Sequence, residues 1–223
     1  MKNLIMLCIL IITLNSCTAQ KKEKNMEKYD FTWMEQIKAS GNLSIVVSRG
    51  DTLIYISPID EHGAYSKEYP PAPSFRMVYK AYYPTGQLKL HEEYVANMPV
   101  GILKYYKEDG TLDRTVDNDA RFGEIKPDWI LRFLEAEKWI NLETGEGREE
   151  IAYTKGGEGY IKNAIFWLGF MEPDHSGNDY PHSCWHVVID ATAETIYFET
   201  TYFIHGDTGE VLSKETKKVL YAE

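Results

Sequence analysis

The sequence predicts an α+β protein: an antiparallel β-meander of repeat hairpins followed by a small helix-backed antiparallel sheet. Three observations predict it. Lys80, Tyr82, Gly86 and Leu88 return 24 positions later as Lys104, Tyr106, Gly110 and Leu112. A shared offset at four positions marks an internal repeat, whose units bury their apolar faces only by stacking on a neighbour. At Pro127 the period changes to a helical stripe, and beyond Arg148 strand-like runs continue to Tyr221.

The chain begins with a basic Lys2 and an apolar run from Leu4 to Leu14, too short to span a bilayer, and Leu14, Asn15, Ser16 and Cys17 follow at once. This ending resembles a bacterial lipobox, in which a small residue precedes a cysteine that becomes lipid-modified and N-terminal. Residues 1–16 then read as a lipoprotein signal peptide and Cys17 as the lipidation site. A single acyl chain anchors only marginally, so stable anchoring needs several. Residues 17–28 are polar and lysine-rich, too poor in apolar side chains to fold, and read as a tether. Of the three cysteines, Cys8 lies in the signal and Cys17 carries lipid, so Cys184 has no disulfide partner. The formal net charge of −10 argues against nucleic acid, since phosphate contacts need clustered Lys and Arg.

Residues 29–120 form the predicted meander. Tyr29 to Ile37 reads as a short helix stopped by Ser40, Gly41 and Asn42. Leu43–Val47 and Thr52–Ile56 flank Arg49, Gly50 and Asp51, a hairpin signal; Gly and Asp there serve the turn. Ser57 to Pro73, rich in Pro, Gly and charge, reads as loop. In each repeat an aromatic strand ends at a turn needing positive φ at Gly86 or Gly110, and a return strand starts at the Leu. A second turn falls near Asn97 to Gly101.

The run from Tyr82 to Leu112 resembles the MORN-variant repeats of proteins catalogued as YwqK-type antitoxins: an aromatic pair, a Gly turn, Lys-Leu, a Tyr, a second turn, then Gly and a polar-aromatic strand. The likeness covers about residues 75–120, and Pro99 and Val100 depart from it. It implies a repetitive β-surface for contacts and no catalytic site.

Residues 121–223 form the α+β C-terminal region. Pro127 and Asp128 open a helix with Trp129, Ile130, Phe133 and Leu134 on one stripe. Strand-like runs follow at Glu150–Thr154, Ala164–Phe170, Trp185–Asp190, Thr195–Ile204 and Val211–Tyr221. A helix before strands, with Asp207, Thr208 and Gly209 in a turn, faintly resembles PepSY-type domains.

Two sets of residues could carry function. Adjacent pairs Tyr82–Tyr83 and Tyr105–Tyr106 must point to opposite faces of a sheet, and an outward tyrosine flanked by charge makes a protein-binding surface. The expected partner contacts are Tyr82, Tyr83, Tyr105, Tyr106, Glu92 and Glu93; the plainer reading is a ladder that only stabilises the sheet. The second set is the stretch from Asp174 to His186. His175, His182, Cys184 and His186 are ligand types zinc prefers, although the spacing fits no metal motif and a polar loop entering a strand explains it as well. Cys184 beside histidines also raises thiol chemistry, against which stands its apolar neighbourhood. Paired glutamates are what an acidic surface shows in any case, and the glycine-rich run from Lys155 to Gly159 lacks the rest of a phosphate loop.

The expectation is therefore a cell-envelope lipoprotein, periplasm-facing, acting as a non-catalytic protein-binding module of immunity or antitoxin-like kind. Its partner would be an unknown protein, such as a basic toxin, with the membrane contacted through lipidated Cys17 and no cofactor. The alternative is an envelope metal-dependent hydrolase using the Asp174 to His186 loop.

Overall fold

The structure, a computed structural model, describes residues 27–153, 159–173, 182–193 and 196–219. Seven strands form one antiparallel sheet in chain order: β1 (Ile45–Arg49), β2 (Thr52–Ile56), β3 (Ala64–Tyr69), β4 (Arg76–Tyr82), β5 (Leu88–Val95), β6 (Met98–Tyr106) and β7 (Leu112–Asp117). A ribbon of β8 (Glu150–Tyr153) and β9 (Gly159–Lys162) follows. A second sheet runs β10 (Phe166–Met171), β11 (Cys184–Ala193), β12 (Ile196–His205) and β13 (Val211–Val219), again in chain order. Helices α1 (Phe31–Ser40) and α2 (Pro127–Ala136) complete the α+β architecture.

The two repeats are alike in backbone detail. Gly86 and Gly110 take φ of +81° and +80°, and each N–H donates to a carbonyl three residues back, Tyr83 or Lys107. Register shifts fall at equivalent points, between Ala81 and Tyr82 and between Tyr105 and Tyr106. Tyr82 and Tyr106 are both buried and pack with Leu88 under α1. Asp30 caps that helix by accepting from the Thr32 N–H, and Gly41 at φ +72° closes it. Its Trp33 and Ile37, one turn apart, face the sheet.

One expectation is corrected here. The stretch Ser57 to Pro73 is not all loop, for it contains β3. Two of the positions of β3 that face Tyr82 and Lys80, Ser66 and Glu68, are polar, which hides its apolar pattern. Ser66 is fully buried against the Tyr82 hydroxyl at 3.3 Å, and the Glu68 carboxylate accepts from buried Lys80 at 2.8 Å.

The largest core joins the two sheets. Val95, Met98 and Val100 from the first sheet pack with Ile130 and Leu134 of α2 and with Trp185, Val187, Ile189 and Ile204 of the second sheet. Full burial of a large apolar side chain stabilises by roughly 1.5–3 kcal/mol, so this cluster binds the repeats to the C-terminal half. Trp185 keeps its indole satisfied by donating to the Ile125 carbonyl at 3.0 Å. Trp129 and Phe133 stack on the rim of the α2 interface, and Phe133 meets Tyr202 edge-on at 5.1 Å. Among the described residues, no helix is long and apolar enough to cross a membrane.

Candidate protein-binding surface

The structure divides the six predicted contact residues. Tyr82 and Tyr106 are 2% and 3% exposed and lie in the core, so neither ring can touch a partner. Tyr83 and Tyr105 take the opposite face, as the pleat demands. The Tyr83 hydroxyl donates to the Tyr106 carbonyl at 2.9 Å with Lys89 over its ring, and the Arg114 guanidinium lies 4.1 Å from the Tyr105 centroid. Glu92 is buried and accepts from the Tyr94 hydroxyl at 2.7 Å and from Asn118 at 3.1 Å, which removes it from the surface set as well. Glu93 stays at the surface beside Arg76, which also forks onto Asp128 at the start of α2.

The face of Tyr83 and Tyr105, opposite that of Glu93, carries a longer aromatic array. Tyr55 on β2 and Tyr79 on β4 stand on either side of Lys67 in the registers of β3, and Tyr65, two residues along, shares their face. The Tyr55 and Tyr65 rings stack at 6.3 Å, Tyr65 and Tyr79 at 5.9 Å, and Tyr79 meets Tyr94 edge-on at 6.4 Å. Four strands thus contribute one tyrosine each to a continuous row. Directly opposite Tyr65 the strand partner is only Ala81, and Pro58, His62 and Lys89 add walls to a groove of about 580 Å³. Burial raises the Tyr65 and Tyr79 hydroxyls above their ordinary value, with neighbouring Tyr55 and Glu92 adding to it, so these two stay neutral at physiological pH. The row offers apolar ring area together with hydroxyl donors and acceptors.

The β8–β9 ribbon lies over the far end of this face. Ile151 and Ile161 pack with Tyr69, Met77 and Tyr94, and Gly159 sits against Val46, the strand partner of Tyr55. Tyr153 and Tyr160 on the ribbon are about half exposed and extend the aromatic surface. The expected contact set contains none of these four: Tyr65 falls in the stretch expected to be loop, and Tyr55, on a strand the sequence does predict, joins Tyr79 and Tyr94 only across it. The alternation of Tyr65, Lys67 and Tyr69 was the signal that could have found that strand.

The second predicted set is only partly within view. Cys17, Asp174, His175 and Asp179 lie outside the described residues. Cys184 and His186 do share one face of β11, but their surroundings are those of packing. Cys184 is fully buried, and burial pushes its thiol up, away from thiolate. His186 stacks on Phe203 at 4.7 Å and meets Trp167 edge-on, and burial lowers its imidazole below the ordinary value. His182 pairs instead with His205 at 4.9 Å between ring centroids. The Nδ1 of His205 accepts from the Asp207 and Thr208 N–H groups, which puts its proton on Nε2 and leaves that nitrogen no lone pair for a metal. Among the described residues, no group of three or more His, Cys, Asp or Glu is placed to hold a metal ion.

No protein-family model, curated protein or solved structure matches the chain.

Proposed function

We propose that this protein is a cell-envelope lipoprotein whose body is a non-catalytic protein-binding module, antitoxin-like in acting by capture of a basic protein. The row Tyr55, Tyr65, Tyr79 and Tyr94 carries the reading. It is an aromatic face held by four strands, three of whose tyrosines, Tyr55, Tyr65 and Tyr79, line the groove, and tyrosine gives large contact area at small entropy cost. Of the residues expected from the repeats, Tyr83 and Tyr105 remain on this face, Tyr82 and Tyr106 lie in the core beneath, Glu92 is buried among the tyrosines as acceptor of the Tyr94 hydroxyl, and Glu93 lies on the opposite face. The net charge of −10 favours a basic partner, with association that slows as salt rises. The lipid on Cys17 would hold the body at the membrane through the polar tether.

Two experiments test this reading. Cells expressing the full chain are fractionated and compared with Cys17→Ser: the native protein should sediment with membranes and the variant should not. Co-purification from an envelope extract at low and moderate salt should then return one basic protein, held less well in the higher salt. A protein that is soluble in both forms would remove the anchor, and the absence of any stoichiometric partner would remove the binding function.

A further inference from the structure

The end of the first sheet at which the chain enters carries two exposed apolar side chains. Glu27 accepts from buried Lys80 at 2.6 Å, Lys28 forms a β-bridge with Gln87, and the Tyr29 N–H donates to the Gly86 carbonyl at 2.7 Å. The entering chain is thereby fixed at the β4–β5 turn. Phe31 lies against the same turn, where a Cβ on Gly86 would come within 2.7 Å of its ring, and it is 51% exposed.

Leu43 is 90% exposed and belongs to the same end. It shortly precedes Ile45, and the registers Ile45–Ile56, Ile56–Ser66 and Ser66–Lys80 set the start of β1 level with the last part of β4. From β4 to β1 is three strand spacings, about 14 Å, and the ten residues of α1 span about 15 Å. The helix therefore crosses the strand ends with Phe31 at its start and Leu43 just beyond its close, and with Glu35 and Lys38 exposed between them. The second sheet joins at the opposite turn, β5–β6, through Val95 and Met98.

We propose that this end of the body docks on a phospholipid surface, with Phe31 and Leu43 entering the interface and the polar side chains of α1 among the headgroups. The proposal rests on the reading of the protein as an anchored lipoprotein. Residues 17–26 reach at most about 36 Å, so an anchor at Cys17 brings this end, rather than the second sheet, to the bilayer. Two apolar side chains are too little to recruit a free protein. A tether makes the contact intramolecular, and its high effective concentration populates a contact as small as this one. The chain is acidic, so the contact is apolar rather than electrostatic and neutral lipid suffices. Leu43 also lines the tyrosine groove, so docking sets that end of the groove at the membrane surface.

The test couples the chain from Cys17, through that thiol, to a maleimide phospholipid in phosphatidylcholine nanodiscs; Cys184 is fully buried and does not compete. The orientation is thereby judged whether or not the cell lipidates Cys17, which the fractionation decides separately. A nitroxide on the lipid headgroup broadens the amide resonances of residues near the bilayer, and those of Phe31, Leu43 and exposed Leu212 of β13 are compared. Broadening at Phe31 and Leu43 at least about threefold that at Leu212 is expected at all salt concentrations, and less than about twofold when Phe31→Asp and Leu43→Asp are combined. An acid at the first position of a helix is favourable, so the double variant keeps α1. Equal broadening at the three residues, or a contrast that the double variant leaves unchanged, overturns the proposal. So does a contrast that appears only with phosphatidylglycerol and fades in salt.

Discussion

The side-chain amide of Asn97 forms two hydrogen bonds with the backbone of Leu168: Nδ2 donates to the carbonyl at 2.8 Å, and the Leu168 N–H donates to Oδ1 at 2.7 Å. Leu168 lies on β10, an edge strand of the second sheet, and its side chain is fully buried. The amide thus occupies the place of a neighbouring peptide and pins the turn between β5 and β6 to the second sheet.

Asn97→Ala leaves both groups of Leu168 without these partners. The expected loss is about 2 kcal/mol, read as a lower midpoint in urea unfolding at pH 7. An unchanged midpoint would mean that solvent satisfies that edge equally well.

The paired tyrosines should separate cleanly in stability. Truncating buried Tyr82 or Tyr106 to Ala should cost about 3–5 kcal/mol, as large aromatic deletions in cores do. Tyr105→Ala gives up mainly the contact with Arg114 and should cost about 1 kcal/mol or less. Similar losses at Tyr82 and Tyr105 would contradict the assignment of faces.

His91 gives the fold an acid sensitivity of definite sign. Burial first, then nearby Lys80 and Lys104, lower its imidazole below the ordinary 6.5, against the raising pull of Glu93 and Glu27. The unfolded chain therefore binds this proton more readily than the folded one, and stability falls as pH drops through about 6.5. His91→Leu should flatten that fall between about pH 7.5 and 5.5. The Nδ1 of His91 is buried with no hydrogen-bond partner among the described residues, so the substitution should cost less than about 1 kcal/mol at pH 7.5. An unaltered slope would place the acid sensitivity elsewhere, with His186 the next group to replace.

The repeats were legible because their turns need glycine and their strands need a large inward side chain. Gly86 with Gly110, and Tyr82 with Tyr106, turned out equivalent to the level of φ and register. Helix α2 was equally plain, with Pro127 at its start and Ile130 and Leu134 on the buried stripe. An adjacent tyrosine pair says that one ring goes inward and the other outward. Which one does so depends on where the bulge falls, a property of two paired strands rather than of either alone. Strand β3 was hidden because Ser66 and Glu68 sit where apolar residues are usual, each satisfied by a side chain from β4. The tyrosine row was hidden with it, since Tyr65 joins Tyr55 to Tyr79 only once that strand is in place.

The central claim is that the tyrosine groove binds a protein, and one comparison tests it most directly. The partner isolated with the wild-type body is titrated against Tyr65→Ala and against Ala81→Arg, which fills the groove floor and opposes a basic ligand while removing no ring. Each variant should weaken binding by at least about tenfold, a difference of ~1.4 kcal/mol, with a urea midpoint close to wild type for Ala81→Arg. Wild-type affinity in both, with the fold intact, would contradict the assignment of this face.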